Sequence, residues 1–298
     1  MCGIVGLYLK NKTLNSQLGK LFSPMLIQMG DRGPDSSGIA VYRDENDDLN
    51  KITLYSSEKS FLWNKFVKKL NTNFSDKSSI KVVSSHAILN TTLETNIFRE
   101  WISKNFPDLR IMSTGNSLEI YKEIGMPEEV IQQFNLEEMN GSHMIGHTRM
   151  ATESAVTTEG AHPFNTGKDL CLVHNGSLSN HHELRRWLSK EKGINFQTEN
   201  DSEVAAGYLS YHLREGSSLE EALKSAIKDL DGFYTFAIGT KTGFAVLRDP
   251  IACKPAVMAE SIDWVAIGSE FRALSKLPNI ENADVWEPEP GKIYSWGN

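Results

Sequence analysis

Apolar and polar residues change rhythm several times along the chain, and each change predicts an element. Ile4-Val5-Gly6-Leu7-Tyr8-Leu9 is an unbroken apolar run, the pattern of a strand buried on at least one face. Leu14, Leu18, Leu21, Phe22, Met25, Leu26 and Met29 recur at helical spacing and predict an amphipathic helix that Pro24 should kink or divide. Residues 39–42 read as a strand and 51–55 as its hairpin partner, joined by an acidic loop at 44–50. Between about 56 and 140 helical patterns (61–70, 93–106, 127–134) alternate with extended ones (80–89, parts of 109–121), which suggests an inserted α/β lobe. Farther on, 142–152 starts β-like and ends in a polar cluster, and 170–173 is a strand leading into His174-Asn175-Gly176. Helices are expected at 179–190, 204–213 and 218–230, a hairpin at 232–247, and short strands at 255–259, 264–267, 284–286 and 292–294. The patterning alone gives an α+β class.

Composition removes several kinds of function. The net charge of −7 over 298 residues argues against nucleic acid as a partner, since phosphate binding relies on clustered Lys and Arg. No stretch approaches the eighteen or so apolar residues of a membrane span, and the opening lacks the layout of a secretion signal, so no membrane partner and a cytoplasmic location are expected. Cys2, Cys171 and Cys253 form no Cys-x-x-Cys pair, which argues against a disulfide framework or a structural zinc. Cys171, inside Leu170-Cys171-Leu172-Val173, reads as a buried thiol. His143 and His147 are four residues apart, but a strand would separate them by about 13 Å, so no metal is expected there.

Three stretches carry candidate chemistry. Removal of Met1 would leave Cys2 with a thiol and a free α-amine on one residue, a nucleophile beside its own base; the alternative is a thiol packed as a small hydrophobe. Gly30-Asp31-Arg32-Gly33-Pro34-Asp35-Ser36-Ser37-Gly38 is too rich in turn formers and charges for an ordinary connection, although a solvated turn would also fit. Asp201, in Asn200-Asp201-Ser202-Glu203, stands where a helix cap is expected.

Six segments taken together resemble the class II glutamine amidotransferases of the N-terminal nucleophile hydrolase superfamily. They are Cys2-Gly3-Ile4-Val5-Gly6, Arg32-Gly33-Pro34-Asp35-Ser36-Ser37-Gly38, Gly146-His147-Thr148-Arg149-Met150-Ala151-Thr152, His162-Pro163-Phe164, His174-Asn175-Gly176 and Asp201-Ser202-Glu203. The resemblance implies a four-layer αββα sandwich. It also implies a glutaminase in which Cys2 attacks the carboxamide of L-glutamine, with the Asn175 side chain and the Gly176 N–H as oxyanion donors. Arg149 and Thr152 would take the substrate carboxylate and Asp201 its ammonium. Arg32 would steady the N-terminal loop, and His147, His162 and His174 would hold loops.

Met150 and Ala151 stand where the family commonly has an aromatic residue and a serine, as in some glutamate-synthase-like members. The chain leaves no room for a synthase domain, so the resemblance further implies a stand-alone subunit, similar to glutamate synthase domain one, that passes ammonia to a separate synthase. No cofactor is implied for this chain; iron–sulfur clusters and flavin would belong to other subunits. A non-catalytic regulatory or assembly subunit, and an amidase for another amide, are the other readings.

Overall fold

In the computed structural model, which describes residues 2–43, 48–151 and 155–297, the opening apolar run is the strand Gly3–Leu9. Ile4 is buried on one face and Val5, Leu7 and Leu9 on the other, so the strand must be central. It pairs antiparallel with His143–Arg149 on one side and Trp264–Gly268 on the other. Ser36–Tyr42, Leu118–Ile124, Val257–Glu260 and Asp284–Trp286 complete a seven-stranded sheet. A second, five-stranded sheet contains Phe164–Gly167, Leu170–Leu178, Gly232–Gly239, Phe244–Arg248 and Ile293–Trp296.

The two sheets face each other across an apolar core that includes Ile4, Ala40, Ile120, Ile145, Val173, Ala237 and Val246. The outer face of the first sheet packs on the helices Leu18–Ile27 and Pro127–Phe134. That of the second packs on His181–Glu191, Asp201–Arg214 and Leu219–Asp229. The result is the four-layer αββα arrangement. Between the sheets, the Tyr42 hydroxyl lies 3.2 Å from Cys171 Sγ and donates to Asp169 O. Burial pushes the Cys171 thiol up to about 12.

Three expectations change. The helix Leu18–Ile27 runs unbroken through Pro24, and the division falls earlier, after the 3₁₀ segment Lys12–Gln17. The carbonyl that Pro24 leaves without an N–H partner belongs to the exposed Lys20. Residues 51–55 are not the hairpin partner of 39–42: both edges of Ser36–Tyr42 are taken, by Leu118–Ile124 and His143–Arg149. Asn50–Tyr55 instead begins a separate four-stranded sheet with Ser79–Val83, His86–Thr91 and Arg110–Gly115, covered by the helices Trp63–Phe74 and Thr95–Asn105. Of the acidic loop, residues 44–47 lie outside the described residues.

This lobe has its own core around Ile52, Leu54, Phe66, Leu70 and Phe98. Its sheet spans 50–115, whereas Leu118–Ile124 and Pro127–Phe134, assigned to the insertion from sequence, belong to the main body. Asp169, buried in the body, accepts the N–H groups of Asn116, Ser117 and Leu118 and so pins the lobe where it rejoins the sheet.

Two histidines are buried away from the site. His143 stacks on Tyr42 with ring centroids 4.0 Å apart, its Nε2 donating to Thr240 O, and His86 lies among Tyr55, Tyr121 and Phe134. Burial lowers both to about 3, with nearby Lys122 adding to the effect at His86. Below pH ~6.5 the unfolded chain takes up protons that the folded one refuses, so stability present above that pH is lost on acidification. Each histidine should contribute a loss of about 1.4 kcal/mol between pH 7.5 and 5.5. The substitution H86F is expected to leave stability at pH 7.5 within about 1 kcal/mol of wild type and to shrink the acid loss by about that much, measured by urea unfolding at the two pH values.

Candidate active site

Cys2 lies half-buried at the start of Gly3–Leu9, its Sγ 4.0 Å from Met150 O. Two side chains hold its carbonyl oxygen: Arg32 Nε donates over 3.0 Å and Asn175 Nδ2 over 3.2 Å. Arg32 comes from the 3₁₀ turn Gly30–Arg32 and also donates from Nη1 to Glu270 Oε1 at 2.6 Å. Hydrogen bonding from Arg32, reinforced by Arg272, holds the Glu270 carboxyl below the usual carboxylate range. Arg32 and Asp35, which face each other in the sequence as opposite charges, therefore have separate partners. Asp35 N donates to Arg149 O at 3.0 Å, and its Oδ2 accepts from Ala151 N at 2.7 Å, fixing the chain on both sides of Met150.

Arg149 ends the strand next to Cys2's own, is buried, and donates from Nη1 to Ala155 O at 3.3 Å. Thr152 lies outside the described residues. Asn175 and Gly176 come from the second sheet, where their strand pairs with Thr235 and Tyr234. Gly176 has φ +156°, and a Cβ there would sit 2.0 Å from Phe233 O, so no other residue fits.

Asp201 is not the helix cap. Asn200 is, its side chain accepting from Ser202 N at 2.9 Å. The Asp201 carboxylate instead accepts from Leu178 N at 2.9 Å and lies 3.8 Å from His174 Nδ1. Ser202 Oγ sits at the centre of a buried polar group, 2.7 Å from His162 Nε2 and 2.8 Å from His174 Nδ1, and His147 stacks on His162 at 4.0 Å.

Burial pushes all three histidines down. His147 reaches about 3, His162 falls well below its ordinary value, and the drop at His174 is opposed by Asp201. They are neutral at neutral pH. Among the described residues no group of three or more His, Cys, Asp or Glu side chains is arranged to hold a metal ion.

These elements enclose an open cleft of about 710 Å³ lined by Cys2, Arg149, His174, Gly176 and Asp201 among others. Arg32 and Asn175 stand behind it on the Cys2 carbonyl. A thiol facing a guanidinium and a carboxylate across one cleft suits a zwitterionic amino acid whose side chain reaches the sulfur. Glu203 belongs to the segment Asp201-Ser202-Glu203 that carries the resemblance, but sequence reasoning assigned it no role; its buried carboxylate accepts from Gln197 N, Thr198 N and Thr198 Oγ1, each at 2.8 Å, and so shapes the loop before Asp201. Ser202, in the same segment, likewise had no role assigned, and Glu270 was not singled out. The available signal was a charge among the small apolar residues that open the helix Asp201–Arg214.

The fold is shared with a solved amidotransferase. The glutamine phosphoribosylpyrophosphate amidotransferase of B. subtilis, complexed with ADP and GMP, superposes with a TM-score of 0.62 at 22% identity, covering 99% of this chain and 47% of that one. Residues 147–276 match the glutamine amidotransferase domain family. Across 297 residues, 99% of this chain and 98% of the relative, the sequence is 53% identical to the glutamine amidotransferase-like protein GlxB of Rhizobium meliloti (strain 1021). A putative glutamine amidotransferase of Methanothermobacter thermautotrophicus is 32% identical over a 304-residue alignment that covers 98% of each chain. The chain belongs to the class II glutamine amidotransferase family.

Removing the Asp35 carboxylate leaves the Ala151 N–H without its acceptor. D35A is expected to cost about 1–3 kcal/mol in urea unfolding, the range for a charge-assisted bond to a part-buried group.

Proposed function

We propose that this chain is a glutaminase subunit that hydrolyses L-glutamine to glutamate and ammonia, using Cys2 freed of Met1 as nucleophile, and supplies the ammonia to a separate glutamate-synthase-like partner. The observation that carries this reading is the convergence of Cys2, Arg149, Gly176 and Asp201 on one cleft. In this reading the Arg149 guanidinium takes the substrate α-carboxylate, Thr152 assists at that carboxylate as the resemblance implies, and Asp201 takes the α-ammonium.

Cys2 Sγ then attacks the carboxamide carbon, and its proton passes to the freed α-amine. The tetrahedral oxyanion is met by the Gly176 N–H and by Asn175. An amide nitrogen has two N–H donors, so one can stay on Cys2 O while the other serves the oxyanion. Collapse of the intermediate breaks the C–N bond, and the proton held by the amine leaves with ammonia. Water hydrolyses the γ-glutamyl thioester to give glutamate and restore the thiol. Arg32 supports the Cys2 carbonyl from behind, and His174, in the cleft wall, lies beside the Asp201 carboxylate.

The test combines intact mass with a glutaminase assay on purified protein, alone and with whatever synthase co-purifies. Loss of Met1 and glutamate release are expected. C2A should abolish turnover, and N175A should lower kcat by about a hundred- to a thousandfold, the loss typical of one oxyanion donor. Retained Met1 with no glutamate release would favour a non-catalytic subunit. Turnover of another amide in preference to glutamine would favour an amidase.

A further inference from the structure

Lys122 is a charge on an apolar face. In Leu118–Ile124 it follows Leu118 and Ile120 on the side turned to the inter-sheet core, and only 3% of it is exposed. An ammonium offers three donors, and all three are spent on carbonyls of one short segment: Ala161 O at 2.7 Å, Glu159 O at 3.0 Å and Pro163 O at 3.2 Å. The ammonium also lies 4.6 Å from the centre of the Phe164 ring.

Segment 159–163 is a wall of the cleft. Gly160 and His162 line it, and a Cβ on Gly160 would lie 3.5 Å from Arg149 Nη1. His162 in turn meets Ser202, the residue after Asp201. At the near end Thr158 Oγ1 donates to the carboxylate of Glu123, the neighbour of Lys122. Gly38 pairs with Lys122 in the sheet, and a Cβ there would come within 2.1 Å of His162 O. The segment therefore runs directly across the strand pair, with the ammonium holding it from beneath.

We propose that Lys122 is a positioning residue for the glutamine cleft, gathering the carbonyls of Glu159, Ala161 and Pro163 so that Gly160 and His162 stand against Arg149 and Ser202. The proposal rests on the glutaminase reading for its substrate. Burial brings the Lys122 ammonium down to about 8; Glu203 and Glu159 oppose that fall and Arg149 adds to it. His86 and His162 also face it, both held neutral. Above about pH 8 the amine keeps two donors and no charge, and the segment loosens.

K122M keeps the length of the stem and removes the ammonium. Expected are a KM for glutamine raised about tenfold or more, with kcat within about threefold of wild type, and faster hydrogen exchange at 158–163. The wild-type KM should climb more steeply above pH 8 than that of K122M, in which only the substrate's own ammonium still loses its proton. Wild-type KM and exchange in a folded K122M would overturn the proposal.

Should K122M fail to fold, wild-type exchange at 158–163 decides. A rise between pH 7 and 9.5 no greater than the intrinsic chemical rate overturns the proposal, and a larger one supports it. Should wild-type protein neither bind nor hydrolyse glutamine, the glutaminase reading fails, and the same exchange measurements still decide what Lys122 holds.

Discussion

The carbonyl oxygen of Cys2 is the joint on which the site depends. It receives one donor from Arg32, whose turn lies against the first sheet, and one from Asn175, a residue of the second. Because one donor comes from beside the first sheet and the other from the second, the Cys2 backbone has a defined position relative to both layers. Glu270 completes the arrangement from a third direction by neutralising Arg32. A guanidinium this buried needs a carboxylate beside it, and placing the carboxylate on the far side leaves Nε free to face the peptide.

The rest of the cleft follows one electrostatic rule, in which each buried charge is spent on backbone and each buried imidazole stays neutral. Glu203 accepts two backbone N–H groups, Asp35 one and Asp201 one, while Lys122 donates to three carbonyls. Such pairings satisfy ions that would otherwise be costly away from water, and they turn loops into walls of fixed shape. His147, His162 and His174, sharing Ser202 and one stack, pack that wall without adding net charge. Arg149 and Asp201 face the same cleft, whose lining also carries Arg110, Glu159 and Glu199.

Much of this was legible in the chain because the residues carrying it sit in short, turn-rich segments with few structural alternatives. Cys2, Arg149, Gly176 and Asp201 could be grouped through the motifs that carry the family resemblance, and the four layers followed from that resemblance, since hydrophobic period alone reached only an α+β class. What could not be read was long-range pairing. Residues 39–42 and 51–55 are both apolar and adjacent in sequence, yet they belong to different sheets, because strands from 118 and 143 had already filled both edges of the first. Asp201 looked like a cap because the true cap, Asn200, differs from it by one position and one atom type. Lys122, and the role of Glu203, escaped the sequence for a related reason: a lone charge in an apolar pattern reads as noise until the carbonyls or amides that satisfy it come from elsewhere in the chain.

The Tyr42–Cys171 contact between the sheets has a consequence for chemical labelling. With its thiol buried among core side chains and raised to about 12, Cys171 presents almost no thiolate to a reagent at neutral pH. Cys253 is exposed and Cys2 half-buried, so alkylation of the native protein distinguishes two sites of three. With Cys253 replaced by serine, the adduct count under native conditions becomes a direct tally of open nucleophiles, and the third thiol, appearing only on denaturation, is an internal gauge of whether the two sheets are still closed.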